Sequence, residues 1–335
     1  TLSNKILVVE DDALSQFVIV EMCKELGFEC LTADDGAEAL DLIAQNATDI
    51  KLVLMDIHMP KVSGLDGIES ITNKKPLFYE VDVCDRKALH QVFAENEIDS
   101  VIHFAAFKAV GESVEFPLKY YLNNVGGLLS LLAEMEEFGI KRMVFSSSCT
   151  VYGQPKVLPV DETAPIQKAE SPYGDTKIQC ENILKTLPNF NTISLRYFNP
   201  TGAHDSGIIG ELPIGVPNNL VPFMTQSAAG LRGDLVVYGE DYNTPDGTCI
   251  RDYIHVVDLA EAHVKALELL SKGNIGFEPI NIGTGNGASV LEVINKFNIV
   301  SDSPVKFSLG SRRAGDIEQV WAKADKAKKL LGWEA

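Results

Sequence analysis

The sequence predicts an α/β protein built on a doubly wound, mainly parallel sheet, with a smaller α/β substrate region toward the C terminus. Two observations carry this expectation. Short, continuous apolar runs end in acidic or small polar residues, and stretches with helical apolar spacing separate them. KILVV at 5–9 runs into Glu10-Asp11-Asp12, and LVLM at 52–55 runs into Asp56. Strands apolar on both faces belong to buried parallel sheets, whose carboxyl ends face the site.

The elements follow in order. Leu14 to Leu26 keeps apolar residues at helical spacing and stops at Gly27, a good C-cap. A second helix is expected from Ala37 to Ala44, after the Asp34-Asp35-Gly36 turn. Phe78 to Val83, Ser100 to Ala105, Arg142 to Ser146 and residues 192–197 read as further strands. Helical stretches around 87–95 and 117–138 separate the first of these, so strand and helix alternate as in a parallel α/β sheet. From Thr201 to Thr248 the regularity gives way to Gly-, Pro- and Asn-rich segments such as PIGVPNN at 213–219, a pattern typical of binding elements. Helices over Val257–Leu270 and Lys323–Leu331 complete the chain.

Composition narrows the function. With 335 residues, 45% of them hydrophobic, and no apolar run near membrane-spanning length, the chain reads as a globular protein of about two domains. A net charge of −18 argues against nucleic acid or an anionic membrane as partner. Residues 1–70 hold 14 acids against 4 bases, a net of −10, which marks a seam near residue 70. The six cysteines (Cys23, Cys30, Cys84, Cys149, Cys180, Cys249) form no C-x-x-C pair and read as free thiols of a cytoplasmic protein. The histidines show no metal-ligand spacing. No secretory signal opens the chain, and Thr1 in first place fits removal of a start Met or a tag.

Tyr173-x-x-x-Lys177 places a phenol and an ammonium on one helix face. A nearby ammonium favours phenolate, which would let Tyr173 act as a base. Ser148, closing the Ser146-Ser147-Ser148 run, can hydrogen-bond the same substrate hydroxyl. Alone, the spacing more often belongs to a solvated Lys and a half-buried Tyr.

The surrounding text decides between them. VIHFAAFKAVGES at 101–113, FSSSCTVYG at 145–153, SPYGDTK at 171–177, LRYFNP at 195–200 and RDYIH at 251–255 stand in order. Over about 76–335 the chain resembles the UDP-glucose (UDP-galactose) 4-epimerase family, within the extended short-chain dehydrogenases/reductases. The resemblance implies transient oxidation of a UDP-hexose at C4 by bound NAD, rotation of the keto sugar, and reduction on its other face. Tyr173 would move the hydroxyl proton, Ser148 orient the hydroxyl, and Lys177 hold the nicotinamide ribose and lower the Tyr173 pKa. It further implies Asp82, Val83, Phe104, Ala105, Lys108, Asn123 and Tyr197 as cofactor contacts. Asn199, Asn219, Leu220, Val236, Tyr238, Arg251, Arg313 and Asp316 would contact the UDP-sugar, with the two arginines neutralising its diphosphate. Relatives of this family commonly form homodimers. Val320 takes a place where some members carry Tyr, and a smaller residue there would admit N-acetylated sugars.

Residues 1–70 resemble something else. Glu10-Asp11 after the first strand, Asp56-Ile-His-Met59-Pro60 and Gly64 are similar to a response-regulator receiver domain. That resemblance implies Mg²⁺ held by Glu10, Asp11 and Asp56, with Asp56 as phosphoacceptor; clustered carboxylates suit a hard cation. The receiver's later Ser/Thr and Lys are missing, because the epimerase text begins first. Conversely, the glycines of an NAD-binding G-x-x-G-x-x-G loop would fall on Glu10, Ala13 and Gln16. Carboxylates there repel a pyrophosphate that glycines would admit.

The two resemblances also conflict in strand order. A receiver sets strand three beside strand one, where a Rossmann-like dinucleotide fold needs strand four. Either one strand is displaced, or the halves form separate sheets. The sequence thus reads as a chimera: a receiver-like βα segment at 1–72, flavodoxin-like in order; the rest of a dinucleotide-binding domain at 73–200; and a UDP-sugar region at 201–335. Three readings stay open at this stage: an epimerase with impaired NAD binding, an engineered or recombined scaffold without turnover, and a phosphoacceptor module with an epimerase-like output domain.

Overall fold

The structure, a computed structural model, describes the backbone at 5–9, 20, 24, 29–33 and 50–55, and residues 64–335 except 212, 214 and 314. Of the helices expected over 14–26 and 37–44, residues 20 and 24 fall among these, and both are helical. Two compact units emerge: Thr1–Phe78 with Ser206–Ile209, and Tyr79–Asp205 with Gly210–Ala335.

In the first unit, β1 (Lys5–Val9) lies between β2 (Glu29–Ala33) and β3 (Ile50–Met55), all parallel. Val9 pairs with Ala33 on one side and Met55 on the other. The order 2-1-3 is the flavodoxin-like one. A helix, Gly64–Thr72, completes the described part of this unit.

The second unit holds a separate parallel sheet. β4 (Ser100–His103), β5 (Arg142–Ser148) and β6 (Asn191–Tyr197) pair in sequence, and β11 (Phe277–Ile282) adds to β6. The strand-order conflict is therefore resolved by two sheets, with β1 taking its two neighbours from the receiver-like segment. Phe78 to Val83 forms no strand, contrary to expectation. Phe78 is 65% exposed, while Val83 packs against the core of Leu128 and Met135 without joining a strand. Asp82 instead closes a turn by accepting the Cys84 N–H at 2.8 Å, and Asp85 caps the Arg86–Glu95 helix.

β5 explains the layering. Val144 points into a core made with Ile193, Leu195, Ile280 and the Val256–Ser271 helix, whereas Met143 and Phe145 point into another with Leu128, Met135 and Leu184. This period of two puts helices on both faces of the sheet. A small satellite core of Met224, Leu235, Val237, Ile294 and Val305 underlies the short strands β8 (Leu235–Tyr238) and β13 (Phe307–Gly310). The stretch 201–248 is thus more ordered than its composition suggests, with a helix at Leu220–Ala228.

One buried polar cluster fastens the sheet to the Pro172–Lys185 helix. The Glu181 carboxylate accepts from Arg196 Nε at 2.9 Å and from its terminal nitrogen at 2.6 Å, and from the hydroxyls of Ser147 (2.6 Å) and Ser194 (2.8 Å). Arg196 also donates to Tyr152, whose hydroxyl donates to Asn281. Each charge is buried but fully partnered, the condition under which a buried ion pair is tolerated. Replacing Glu181 with Ala strands the Arg196 charge and should cost about 3–5 kcal/mol of stability. The denaturation midpoint reads this, and a loss below about 1 kcal/mol would contradict the role given to the pair.

Candidate active site

The Pro172–Lys185 helix begins with the signature its sequence advertises. Ser171 accepts the Gly174 N–H at 3.2 Å and Pro172 takes the first turn. Gly174, Lys177, Glu181 and Leu184 form its buried stripe, which fixes Lys177 inward. Ser148 ends β5 opposite Tyr197 of β6 and caps the short 3-10 turn Cys149–Tyr152 by accepting the Thr150 N–H at 3.2 Å. The Ser148 hydroxyl lies near the Tyr173 phenol and favours its ionised form. Tyr173, Ser148 and Lys177 therefore converge, as the sequence predicts.

Their electrostatics differ from expectation. Burial pushes the Tyr173 phenol up to about 12, with the nearby Ser148 hydroxyl opposing the shift. Lys177 does not lower it here, because its ammonium lies 6.0 Å from the Tyr173 ring centroid and donates to the Ser146 carbonyl at 2.6 Å. Burial holds Lys177 itself down to about 8. Among the described residues Ser146 O is its hydrogen-bond acceptor, so N–H bonds of the ammonium remain for a ligand. His103, closing β4, is kept neutral by burial and by Lys177, its pKa near 4.

A cleft of about 440 Å³ is lined by Glu80, Val81, Asp82, Val83, Ala105, Ala106, Phe107 and Asn123. It gathers four of the expected cofactor contacts, Asp82, Val83, Ala105 and Asn123. Gly127 sets its floor: a Cβ there would stand 2.7 Å from Val83 Cγ1, so glycine lets the 80–83 segment lie against the Gly126–Glu137 helix. Phe104 and Lys108 are both exposed; the Lys108 ammonium stands 3.6 Å from Glu211. Buried Asn124, in a π-helical turn at Tyr121–Val125, grips both backbone groups of Phe107 (2.8 and 3.0 Å) and Thr176 Oγ1 (3.1 Å). It thereby ties the loop after β4 to the helix carrying Tyr173 and Lys177.

The expected UDP-sugar contacts form a second group. Val236 and Tyr238 share the exposed face of β8, and the Arg313 guanidinium lies 5.7 Å from the Tyr238 ring and 2.8 Å from Asp316. Arg251, on β9 (Ile250–Arg251), pairs in register with Val320 of β14 (Gln319–Val320). The Asn199 N–H donates to Asp252 O at 2.8 Å. Asn219, at the cap position before Leu220, donates to Glu211 at 3.1 Å, so Glu211 meets both Lys108 and Asn219. Sequence reasoning passed over Glu211, Asn124 and Thr150, whose buried hydroxyl has no partner among the described residues. An amide inside a helical run next to Asn123 was the available signal for Asn124.

Glu10, Asp11 and Asp56, expected to hold Mg²⁺ and to accept a phosphoryl group, lie outside the described residues. Among the described residues His90, Glu134 and Glu137 bring ligand-type atoms within 4.8 Å, a grouping that sequence spacing does not reveal. Arg86 already pairs with both carboxylates, so this cluster reads as an ion-pair network. No helix among the described residues is long and apolar enough to cross a membrane.

The residues present fit the group the sequence calls for. The buried Lys177 ammonium with N–H bonds to spare suits the hydroxyls of a ribose, and the cleft offers the Asp82 carboxylate and backbone groups to the remainder of a dinucleotide. The Lys177 burial has a measurable sign. Between about 8 and its ordinary 10.5 the unfolded chain binds a proton that the fold does not. Its destabilising effect is therefore complete below 8 and fades as pH rises toward 10.5. Lys177→Met should melt higher than the parent at neutral pH, with the advantage shrinking across that window; a constant difference in melting temperature would refute this.

Comparison with known proteins agrees with this geometry. The sequence model of the NAD dependent epimerase/dehydratase family matches residues 59–283, and that of the response regulator receiver domain matches residues 6–102. The chain is 51% identical over 288 residues to a UDP-glucose 4-epimerase of Bacillus subtilis, covering 85% of this chain and 84% of that protein. It is 46% identical over 300 residues to one of Dictyostelium discoideum, covering 88% and 86%. The crystal structure of UDP-glucose 4-epimerase from Bifidobacterium longum in complex with NAD+ and UDP superposes with a TM-score of 0.79 at 40% identity, over 99% of this chain and 93% of that one. With a receiver-like N-terminal segment joined to it, the chain belongs to the NAD dependent epimerase/dehydratase family.

Proposed function

We propose that this protein interconverts UDP-glucose and UDP-galactose by transient oxidation at C4 of the hexose, using bound NAD. The observation that carries the reading is the convergence of Ser148, Tyr173 and Lys177 beside a cleft lined by Asp82, Val83, Ala105 and Asn123. Relatives named UDP-glucose 4-epimerase, about half identical over most of the chain, support the choice of substrate.

NAD, when bound, supplies the redox chemistry at C4, and the protein supplies orientation and proton transfer. Tyr173 takes the proton of the 4-hydroxyl and returns it after the sugar has turned. Ser148 donates to the phenol and holds the hydroxyl that reacts. Lys177 offers its remaining N–H bonds to the ribose next to the nicotinamide. With the phenol near 12 the ligand-free dyad is positioned but not ionised, so its activation accompanies ligand binding. Phe104, Lys108 and Tyr197 complete the cofactor side. At the other end Arg251 and Arg313 neutralise the diphosphate, while Asn199, Asn219, Leu220, Val236, Tyr238 and Asp316 hold the nucleotide and sugar.

Tyr173→Phe tests the assignment: epimerisation should fall by a factor on the order of 10² or more, the loss typical for a positioned acid–base group, with UDP binding unchanged. Unaltered turnover would remove Tyr173 as the base. Acid-released NAD per chain in purified protein tests the cofactor, and protein without NAD and without turnover would overturn the reading. Val320 is buried and is the register partner of Arg251, and we assign it the floor of the sugar site. Val320→Tyr should reduce turnover of UDP-N-acetylglucosamine more than that of UDP-glucose, and equal losses would rule out a role in sugar choice.

A further inference from the structure

Tyr197 carries a hydrogen bond whose direction the structure fixes. Its hydroxyl lies 2.5 Å from His263 Nε2, on the Val256–Ser271 helix, and the nearby Ser146 side chain opposes the rise that burial gives its pKa. His263 is 3% exposed, and its other ring nitrogen, Nδ1, stands 2.8 Å from the Leu259 carbonyl. A carbonyl oxygen only accepts, so Nδ1 bears the hydrogen. Burial holds the imidazole below its ordinary pKa, against the raising effect of the Leu259 bond, which leaves Nε2 bare. The Tyr197 O–H must then donate to Nε2, and the lone pairs of its oxygen face the other way. The rings of Phe104, 4.8 Å away, and of Tyr197 itself, at 5.4 Å, hold the imidazole edge in place.

That other way leads to the dyad. Tyr197 stands opposite Ser148 across the β5–β6 ladder, and Ser146, two residues before Ser148 on β5, is the residue whose carbonyl anchors Lys177. We propose that His263 is a positioning residue that fixes the Tyr197 hydroxyl as a hydrogen-bond acceptor on the cofactor side of the dyad, suited to an amide N–H such as the carboxamide of nicotinamide. The proposal rests on the NAD-dependent reading above. It assigns a task to a histidine 66 positions beyond Tyr197, on a helix with no motif of its own.

The test uses the full chain, labelled with ¹⁵N-histidine. Imidazole nitrogen shifts should show one ring with a protonated Nδ1 and a bare Nε2, a signal lost in His263→Phe and moved in Tyr197→Phe. His263→Phe should lower the NAD retained per chain by about tenfold in affinity, the scale of one buried hydrogen bond. His263→Gln, whose carbonyl can accept the Tyr197 proton, should recover to within about threefold. In a Tyr197→Phe background His263→Phe should have no further effect on retention, as coupled residues require. A ring protonated at Nε2, a Gln variant as impaired as the Phe variant, or equal losses in both backgrounds would overturn the proposal in favour of simple packing. Wild-type protein without NAD but with the expected tautomer overturns the cofactor reading and leaves the hydroxyl's orientation standing. The reverse pattern overturns only the role given to His263.

Discussion

The buried carboxylate of Glu181 is the constraint on which the larger unit depends. It gathers donors from β5 and β6 while sitting one helical turn beyond Lys177. A carboxylate taken out of water needs its lone pairs satisfied from several directions, and here those directions are two neighbouring strands. Meeting that need fixes both the height and the rotation of the helix over the sheet. Lys177 inherits its place from this: its ammonium reaches the Ser146 carbonyl because Glu181 has already set the helix. Through Arg196, Tyr152 and Asn281 the same cluster extends to β11, so the sheet is stitched across its width at the level of the site.

Legibility from sequence followed the physics of each feature. β5, β6 and the helix bearing Tyr173 were readable because continuous apolar runs and a four-residue spacing are local properties. The Phe78–Val83 strand was misread for the complementary reason: β propensity states what a segment could do, and here the Asp82 turn and the helix capped by Asp85 take the chain away before it can pair. The relation between Lys177 and Tyr173 was readable as proximity but not as charge. Spacing placed the two groups on one face, but desolvation and the competing Ser146 carbonyl set their ionisation. Asn124 left only the faint signal of an amide in a helical run, and His263 left none, because each acts through partners distant in sequence.

The chain joins two strand-order rules without merging them. In the first unit β1 is satisfied on both sides by β2 and β3, as the flavodoxin-like order demands. In the second, β4, β5, β6 and β11 make a sheet whose residues 100–282 supply the dyad, the loop after β4 and, together with residues 80–83, the cleft. Everything in the proposed proton transfer comes from this second unit. The acidic residues after β1 and β3 belong to the other rule, within the residues 6–102 that the receiver-domain model matches.

Gly127 shows how such a site tolerates change. The segment that forms one wall of the cleft is exposed at Glu80, whose side chain can be exchanged without touching the turn that Asp82 closes. Its inner side rests on a helix position with no side chain at all, where a single added methyl would meet Val83. The wall is thus free to vary in chemistry and fixed in position. A new ligand preference can be written on its lip by ordinary substitutions, while the width of the opening is guarded by one hydrogen atom.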